Sequence, residues 1–299
     1  MKTLAIIGST ASGKSDLALA LAQKHNASIL SIDSLSIYRH IDIASAKPSK
    51  EELALVPHFG IDRLEPDVNA SVFTFIDEYH RAVESCMAEG KNLIIVGGSS
   101  FYLKSMLEGL SPIPEFSHRT IEAVAELIKD LEQAHALLTE ADPSHMAKIQ
   151  PSDAYRIEKL ALIYLETGFP PSQWFQEHPA VPVIPECPVF DLKIDRELLR
   201  ERIALRTRKM VESGLIDEVA ELERLYGRSP NSMKAIGIIE TLEFLDGKLT
   251  RNELIDAVST HTAQLAKRQQ TFNAHQFTLS ESGGAEQIMR AAETFLKQP

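Results

Sequence analysis

An eight-residue segment near the start of the chain, Gly8–Ser15, reads GSTASGKS and has the spacing of a phosphate-binding loop. An apolar run over residues 4–7 precedes it and a helical pattern over residues 16–22 follows it, so the sequence predicts a strand, a tight loop and a helix. Glycines allow the backbone to fold around an anion, and the helix amino terminus directs N–H groups and its dipole at the bound charge. We expect Lys14 to reach the outer phosphate oxygens and the Ser15 hydroxyl to bind Mg²⁺. The predicted phosphate-binding residues are Gly8, Ser9, Thr10, Ala11, Ser12, Gly13, Lys14 and Ser15.

Two further predicted strands end in residues that suit the same site. Residues 28–32 form a short apolar run followed by Asp33, and residues 93–96 form another followed by Gly97–Ser100. In an open α/β sheet, the residues at the carboxyl ends of parallel strands line the ligand crevice. We therefore expect Asp33 beside the phosphate loop, where its carboxylate could hold Mg²⁺ through water or act as a general base. A helix-capping role is the alternative.

Basic residues cluster in two predicted helices, although the net charge of the chain is −11. In the helix predicted over residues 197–213, Arg202 and Arg206 lie four positions apart, so both project from one face and could grip one anion together. A helix near the carboxyl end carries Lys267 and Arg268. The net charge argues against a nucleic-acid partner, whereas these clusters allow a local basic surface. Solvated helix faces are an equally open interpretation of either cluster.

The order of the predicted elements is typical of an α/β protein with a parallel sheet. Helical crossovers, including an amphipathic pattern over residues 71–89, separate the first three predicted strands. A further strand is predicted over residues 189–194 and a short one over 276–279, followed by a terminal helix. The segment over residues 57–66 shows no strand pattern and is predicted to be a connection.

A change in pattern marks an insertion in this α/β arrangement. Residues 115–175 show helical patterns over 121–136 and 154–166 and no strand pattern, which predicts an all-helical insertion. The predicted domains are residues 1–112 (core, first part), 113–186 (helical insertion) and 187–299 (core, second part, with the C-terminal helices).

The composition, with 44% hydrophobic and 24% charged residues in 299, is ordinary for a globular protein. No apolar run has the length of a membrane span, and the one at the amino terminus is too short for a signal peptide. The two cysteines, Cys86 and Cys187, are too few and too far apart to indicate a disulfide framework or a metal site. We therefore expect a cytoplasmic protein with reduced thiols, without a membrane partner, and monomeric.

Several segments together resemble bacterial tRNA dimethylallyltransferases. Gly8–Ser15, Asp33–Arg39 (DSLSIYR), Val96–Leu103 (VGGSSFYL), Ser152–Ile157 (SDAYRI) and Ala266–Gln269 (AKRQ) match motifs of that family in the family's order. The resemblance implies a P-loop NTPase-like parallel sheet flanked by helices, with an all-helical insertion domain. It also implies transfer of a dimethylallyl group from dimethylallyl diphosphate to the exocyclic amine of the adenosine 3′ of the tRNA anticodon, with release of diphosphate.

The resemblance also implies roles for individual residues. The phosphate loop and Arg206 would hold the diphosphate with Mg²⁺ on Ser15, Asp33 would be the general base, and Ser99 would help to hold the amine. The helical insertion and Lys267–Arg268 would clamp the anticodon stem-loop. The residues expected to contact tRNA are Asp33, Ser34, Leu35, Ser36, Ser99, Ser152, Asp153, Ala154, Tyr155, Arg156, Lys234, Gly237, Lys267 and Arg268.

The chain departs from the family pattern at several positions. Ser36 replaces a glutamine that contacts the target adenine, and a serine side chain is too short to do the same. Ser99 replaces a threonine and keeps the hydroxyl, whereas Ile238, Ala263 and Phe272 replace a tyrosine, an arginine and a tryptophan. We expect the serine at 36 to loosen selection of the target base without affecting the chemistry, and the loss of the arginine at 263 to weaken contact with the RNA backbone.

Three other functions stay open at this point. A small-molecule P-loop kinase would use Lys14, Ser15 and Asp33 with a nucleoside triphosphate, although its lid would be shorter and richer in arginine than this insertion. A nucleotide-dependent RNA-binding protein without enzymatic activity would give Asp33 no special role. An isopentenyltransferase that acts on free adenine nucleotides would share the chemistry and differ only in the acceptor.

Overall fold

The apolar runs of the sequence form the strands of a parallel sheet. The computed structural model describes residues 1–184 and 186–298. The strands are β1 (Thr3–Gly8), β2 (Ala27–Ser31), β3 (His58–Phe59), β4 (Asn92–Gly97), β5 (Val189–Leu192) and β6 (Glu281–Gly283). Over the described residues they form one sheet of six strands in the order β3-β2-β4-β1-β5-β6, and every pairing is parallel. At the centre, Ile6 of β1 lies opposite Val96 of β4 and Phe190 of β5.

Helices flank this sheet. Those that belong with it are α1 (Lys14–Lys24), α2 (Lys50–Leu53), α3 (Val72–Glu89), α4 (Ser100–Glu108), α10 (Arg196–Glu212), α11 (Leu215–Tyr226), α12 (Ile238–Leu245), α13 (Arg251–Gln276) and α14 (Ala285–Lys297). A short 3₁₀ turn, Asn231–Lys234, precedes α12. Five further helices, which lie between α4 and α10 in the chain, form a separate unit.

The core under the phosphate loop is apolar and closely packed. Leu21 of α1 and Ile288 of α14 pack on Ile6, Ile94 and Phe190 of the sheet, and each of these side chains is at most 3% exposed. Burial of each such side chain stabilises the fold by about 1.5–3 kcal/mol. This packing holds the end of β1 and the start of α1, and so fixes both ends of the loop between them.

The strand order brings three predicted functional segments together. Because β4 lies between β1 and β2, the phosphate loop, Gly98–Ser99 and Asp33 follow the carboxyl ends of three neighbouring strands. A Cβ at Gly97 would lie 2.5 Å from Cγ1 and 2.8 Å from the backbone carbonyl carbon of Ile32. Only glycine therefore allows the end of β4 to approach the residue before Asp33 so closely.

The helical unit consists of α5 (His118–Leu127), α6 (Leu131–Ala141), α7 (Pro143–Met146), α8 (Ala154–Thr167) and α9 (Pro171–Glu177). Its core is formed by Val124, Leu138, Ile157 and their neighbours. The predicted helix over residues 121–136 is in fact two helices, because Asp130 accepts a hydrogen bond from the backbone N–H of Gln133 and starts α6. Helix α8 agrees with its predicted span to within one residue.

The two compact units are Met1–Leu107 with Ile184–Pro299, and Glu108–Val183. These bounds lie within about five residues of the predicted division at residues 112 and 186. Pro185 and Pro299, which fall within the predicted domains, lie outside the described residues.

Two strand predictions were wrong. The segment predicted as a connection over residues 57–66 contains β3, which is only two residues long and therefore leaves no periodic pattern. The predicted strand at 276–279 does not form, because α13 continues to Gln276 and the edge strand β6 begins at Glu281. Edge strands this short and polar carry little sequence signal.

Cys86 and Cys187 are both free thiols. Among the described residues, no helix is both long and apolar enough to cross a lipid bilayer.

Candidate active site

The loop between β1 and α1 has a strained conformation that suits anion binding. Ala11 has a φ of +60° and Gly13 a φ of +93°, and the N–H of Ser12 donates to the Ser9 carbonyl at 3.2 Å. Gly13 is the N-cap of α1, and it has no side chain to cap the helix. The hydroxyl oxygens of Ser9 and Ser12 are buried and have no hydrogen-bond partner among the described residues. The loop thus leaves donors without partners at a helix amino terminus, the arrangement that binds phosphate groups.

Two cations lie over this loop, and burial disfavours their charged forms in the absence of an anion. Burial lowers the pKa of Lys14 to about 8; the Asp33 carboxylate opposes this shift and Arg206 adds to it. Burial likewise lowers the pKa of Arg206, again against the effect of Asp33. The Arg206 Nη2 atom donates to the Thr10 hydroxyl at 2.8 Å. Since Asp33 only partly compensates two desolvated positive charges, the site favours an anionic ligand.

Arg202 and Arg206, expected to grip one anion together, contact the loop in different ways. Arg202 donates to the Ser12 carbonyl at 3.1 Å and lies 3.3 Å from where a Cβ at Gly13 would be. Arg202 thus supports the loop backbone, whereas Arg206 lines the cavities described below.

Asp33 stabilises a tight turn through one of its two carboxylate oxygens. Its Oδ1 atom accepts the backbone N–H groups of Leu35 at 2.9 Å and Ser36 at 3.3 Å, whereas Oδ2 makes no hydrogen bond with the described residues. The N–H of Ser34 donates to the Ser99 hydroxyl oxygen at 3.2 Å, which joins this turn to the end of β4. Asp33 therefore caps a turn rather than a helix, and one carboxylate oxygen is available to a ligand.

A cavity of about 620 Å³ opens at this edge of the sheet. Its polar residues include Thr10, Lys14, Asp33, Ser99 and Arg206. Its apolar residues include Leu35, Phe101, Met210, Val258 and Leu265. Such a volume is typical of small-molecule sites, and an apolar wall facing a few convergent polar groups is their usual composition.

A second cleft of about 180 Å³ adjoins the cavity and shares Thr10, Lys14, Asp33 and Arg206 with it. Ser15 and Ser36 line this cleft but not the larger cavity. The shared residues thus face both spaces.

The structure separates the sequence-predicted contact residues into four groups, one of which is Ser36 in the smaller cleft. Ser34, Leu35 and Lys234 line the large cavity together with Asp33 and Ser99. Three residues lie outside both spaces: Gly237, the N-cap of α12 with a φ of +94°, and Lys267 and Arg268, which are exposed on α13. The helical unit carries Ser152, Asp153, Ala154, Tyr155 and Arg156.

Within the helical unit, residues 152–156 lie at the start of helix α8. Asp153 caps α8 by accepting the N–H of Arg156 at 3.1 Å, and its carboxylate pairs with the Arg156 guanidinium at 2.6 Å. Tyr155 is 72% exposed. An exposed aromatic ring beside an arginine at a helix start is a surface that can contact RNA.

Gln269 of α13 contributes to the site although sequence reasoning gave it no role. Its side-chain oxygen accepts the Thr10 N–H at 2.8 Å and its nitrogen donates to the Gly98 carbonyl at 2.9 Å. A Cβ at Gly98 would lie 2.5 Å from that nitrogen, so Gly98 must be glycine for the bridge to form. Gln269 thereby joins the phosphate loop to the end of β4. Its place in the AKRQ motif was the available signal.

A model of the IPP transferase family matches residues 36–276, most of the chain. The chain belongs to the IPP transferase family. It is 52% identical over 288 residues to the tRNA dimethylallyltransferase of Sulfurimonas denitrificans, which covers 96% of this chain and 97% of that protein.

Solved structures of other IPP transferases share the fold over almost the whole chain. The full-length tRNA isopentenylpyrophosphate transferase of Bacillus halodurans is 28% identical, with a TM-score of 0.71 over 99% of this chain and 97% of that one. A eukaryotic dimethylallyltransferase, solved while acting on tRNA, is 25% identical, with a TM-score of 0.83 over 99% of this chain and 77% of that one.

The Mg²⁺ predicted from the sequence suits the smaller cleft. Ser15 lines it together with the carboxylates of Asp16, Asp33 and Glu52, and such oxygens are the ligands that Mg²⁺ prefers. No group of three or more His, Cys, Asp or Glu side chains among the described residues could hold a metal ion. Mg²⁺ usually binds through one or two protein oxygens together with phosphate oxygens and water. The residues therefore fit an ion that arrives with a diphosphate.

Ser36, the departure expected to affect base selection, lies apart from the large cavity. Its side chain is only 5% exposed and lines the smaller cleft. The large cavity of this IPP transferase is lined by other residues, such as Leu35, Phe101 and Lys234.

The pKa of Lys14 predicts a pH dependence of diphosphate binding. Because the folded protein holds this pKa at about 8, the ammonium is charged below pH 8 and loses its proton above it. Affinity for inorganic diphosphate, measured by calorimetry without metal, should fall by up to about tenfold per pH unit above 8. The Lys14→Met variant controls for the ionisation of diphosphate itself. A wild-type to variant affinity ratio that stays constant between about pH 7 and about pH 9.5 would contradict this prediction.

Proposed function

We propose that this chain transfers a dimethylallyl group from dimethylallyl diphosphate to the exocyclic amine of the adenosine 3′ of the tRNA anticodon. The observation that carries the proposal is the 620 Å³ cavity, in which a phosphate cradle, a carboxylate and an apolar wall meet. The family and the names of its members support the same activity. A phosphate loop alone would suit a nucleotide equally well, but the apolar wall suits an allylic donor.

The donor binds with its diphosphate over the loop. As the allylic C–O bond breaks, its electron pair leaves with the diphosphate, and negative charge grows on the oxygens. Backbone N–H groups at the start of α1, the Lys14 ammonium and the Arg206 guanidinium stabilise this charge, because the helix amino terminus and both cations lie at the loop. Mg²⁺, held by Ser15 and the diphosphate oxygens, would supply further positive charge to the leaving group.

The acceptor amine is a poor nucleophile because its lone pair is delocalised into the adenine ring. Its nitrogen forms the new C–N bond, and the proton that it loses passes to the Asp33 carboxylate, whose Oδ2 atom has no other partner among the described residues. The Ser99 hydroxyl oxygen already accepts the Ser34 N–H, so its own hydrogen is available to hold the base. The apolar residues of the cavity keep water from the reacting allylic carbon.

The target adenosine must leave the anticodon-loop stack to enter the cavity, which costs a few kcal/mol. A cavity of about 620 Å³ has room for a base and the dimethylallyl group. We assign contacts with the rest of the anticodon stem-loop to Lys267–Arg268 and Ser152–Arg156, which carry exposed cations or an exposed aromatic ring, and to the backbone at Gly237. A cytoplasmic location and a monomeric state stay predictions from the sequence.

A labelled-donor assay tests this function. The protein is incubated with Mg²⁺, radiolabelled dimethylallyl diphosphate, unmodified tRNA and adenosine monophosphate, and each acceptor is separated and counted. Label should appear in tRNA and not in the mononucleotide. Label in the mononucleotide alone would indicate an isopentenyltransferase of free nucleotides. No label in either acceptor, together with transfer of the γ-phosphate of ATP to a small molecule in a parallel reaction, would indicate a kinase.

Gln269 should act as a positioning residue in this reaction. Gln269→Met keeps the side-chain length but removes both hydrogen bonds that tie the phosphate loop to β4. We expect kcat to fall and the KM for the donor to rise, each by about tenfold, because a small misplacement of reacting groups costs much rate. A purely structural role would instead lower the melting temperature and leave the KM for the donor unchanged. The exposed Gln23→Met variant is the matched control.

A further inference from the structure

Two open clefts run along one side of α13, away from the reaction cavity. One, of about 680 Å³, lies between α10 and α13 and contains Arg196, Arg200 and Lys267. The other, of about 660 Å³, contains Lys267, Arg268 and His275. Because the clefts share Lys267 and Gln264, they form one continuous surface. We call Arg196, Arg200, Lys267 and Arg268 the basic strip.

The charges of the basic strip are uncompensated. None of its four cations forms an ion pair or a hydrogen bond with another described residue, in contrast to Arg224 and Arg228, each of which holds a carboxylate at 2.6 Å. Over the described residues, no aspartate or glutamate lines either cleft. Glu197 and Glu201, the acidic residues on the same helix as Arg196 and Arg200, are outside the lining. Four free cations are thus collected on one surface of a chain whose net charge is −11.

The remaining lining is suited to RNA. Ser259, Thr260, Gln264 and Gln270 supply neutral hydrogen-bonding groups, and the Ser259 hydroxyl oxygen is buried without a partner in the described structure. At 1.5 Å per residue, the part of α13 between Ser259 and Gln276 extends roughly 25 Å, enough for several successive backbone phosphates. The Phe272 ring and the His275 imidazole lie in the second cleft, where unpaired bases can stack on them.

Helix α13 also connects this surface to the reaction site. Val258, Thr262, Leu265 and Gln269 line the reaction cavity. Other residues of the same helix line the two clefts. An RNA strand on the strip would therefore lie within about one helix diameter, 10–12 Å, of the cavity.

We propose that the basic strip binds the sugar–phosphate backbone of the acceptor RNA outside the reaction cavity, with Arg196 and Arg200 of α10 as phosphate ligands. This inference rests on the proposed function, since it takes the acceptor to be an RNA. It adds α10 to the RNA contacts and joins them to Lys267 and Arg268 in one track. The uniform positive charge of the two cleft linings favours a phosphate backbone over a protein partner.

The test compares the Arg196→Ala/Arg200→Ala variant with Arg290→Ala/Lys297→Ala, which removes two exposed positive charges from α14. Binding of unmodified tRNA is measured across salt concentrations without donor. The strip variant should bind about tenfold more weakly and lose about two units from the slope of log K against log salt. At saturating tRNA, its kcat should stay within about twofold of wild type.

The outcomes distinguish failure of the basic-strip inference from failure of the proposed function. Equal affinity and slope in the two double variants would overturn the inference. Binding of poly-glutamate is measured alongside that of tRNA. Loss of poly-glutamate binding with tRNA binding intact would indicate an acidic protein partner and would also overturn the inference. Wild-type protein that transfers no label to tRNA would instead overturn the proposed function. Melting temperatures identify a folding defect, and Arg196→Gln/Arg200→Gln then replaces the alanine variant.

Discussion

The Asp33→Asn variant should transfer the dimethylallyl group about 10²–10⁴-fold more slowly than wild type, the range expected for loss of a general base. The amide oxygen can still accept the N–H groups of Leu35 and Ser36, so the turn that carries residue 33 is kept. What disappears is the carboxylate that takes the proton of the amine. Single-turnover transfer with bound donor and tRNA measures this step directly.

Binding measurements separate the loss of a base from a general defect. Affinity of Asp33→Asn for unmodified tRNA should not fall by more than about twofold, because the amide has the shape of the carboxylate and removes a negative charge that does not attract RNA. Asp67→Asn, at an exposed position in the chain, is the control and should transfer at the wild-type rate. Near-normal turnover in Asp33→Asn would remove Asp33 from the role of base.

The Lys14→Met variant should lose about 10²–10³-fold in kcat, the usual effect of removing one group that stabilises developing charge. Methionine is close to lysine in length and fills the same space without the ammonium. Both donor affinity and kcat should fall, since the ammonium interacts with the diphosphate before and during departure. Steady-state kinetics with varied donor at saturating tRNA checks this. Lys24→Met, a lysine paired with Glu293 on the surface, is the control.

The same variant should be at least as stable as wild type, which distinguishes a functional lysine from a structural one. The pKa of Lys14 in the folded protein, about 8, lies below its ordinary value of 10.5. The unfolded chain therefore binds the proton more tightly, and the charged lysine destabilises the fold below pH 8. This deficit shrinks as the pH rises from about 8 towards about 10.5. A lower melting temperature for Lys14→Met at neutral pH would contradict this explanation.

Local patterns were sufficient to predict which residues lie together at the centre of the candidate site. The phosphate loop was identifiable because its glycines, Lys14 and the flanking strand and helix all lie within about 20 residues. The placement of Asp33 and Ser99 beside it followed from one rule, that carboxyl ends of parallel strands meet at one edge. Fold class and family were also predictable, because the motifs extend along most of the chain.

Features that depend on distant packing were not predictable. The bridge from Gln269 to Gly98 joins residues that are 171 positions apart, and nothing near Gln269 indicates which backbone groups it meets. Nor does a helical pattern show that Arg202 contacts the Ser12 carbonyl while Arg206 faces the ligand. The short strand β3 was missed for a related reason, since a two-residue strand is specified by its partner β2 and not by its own composition.

The measurement that most directly tests the central claim locates the product on tRNA. Unmodified tRNA is treated with the protein, dimethylallyl diphosphate and Mg²⁺, digested with a nuclease, and the fragments are analysed by mass spectrometry. We expect one fragment, containing the adenosine 3′ of the anticodon, to gain the mass of one dimethylallyl group on its base. A gain on another nucleotide, or on a phosphate or ribose, would contradict the proposed function.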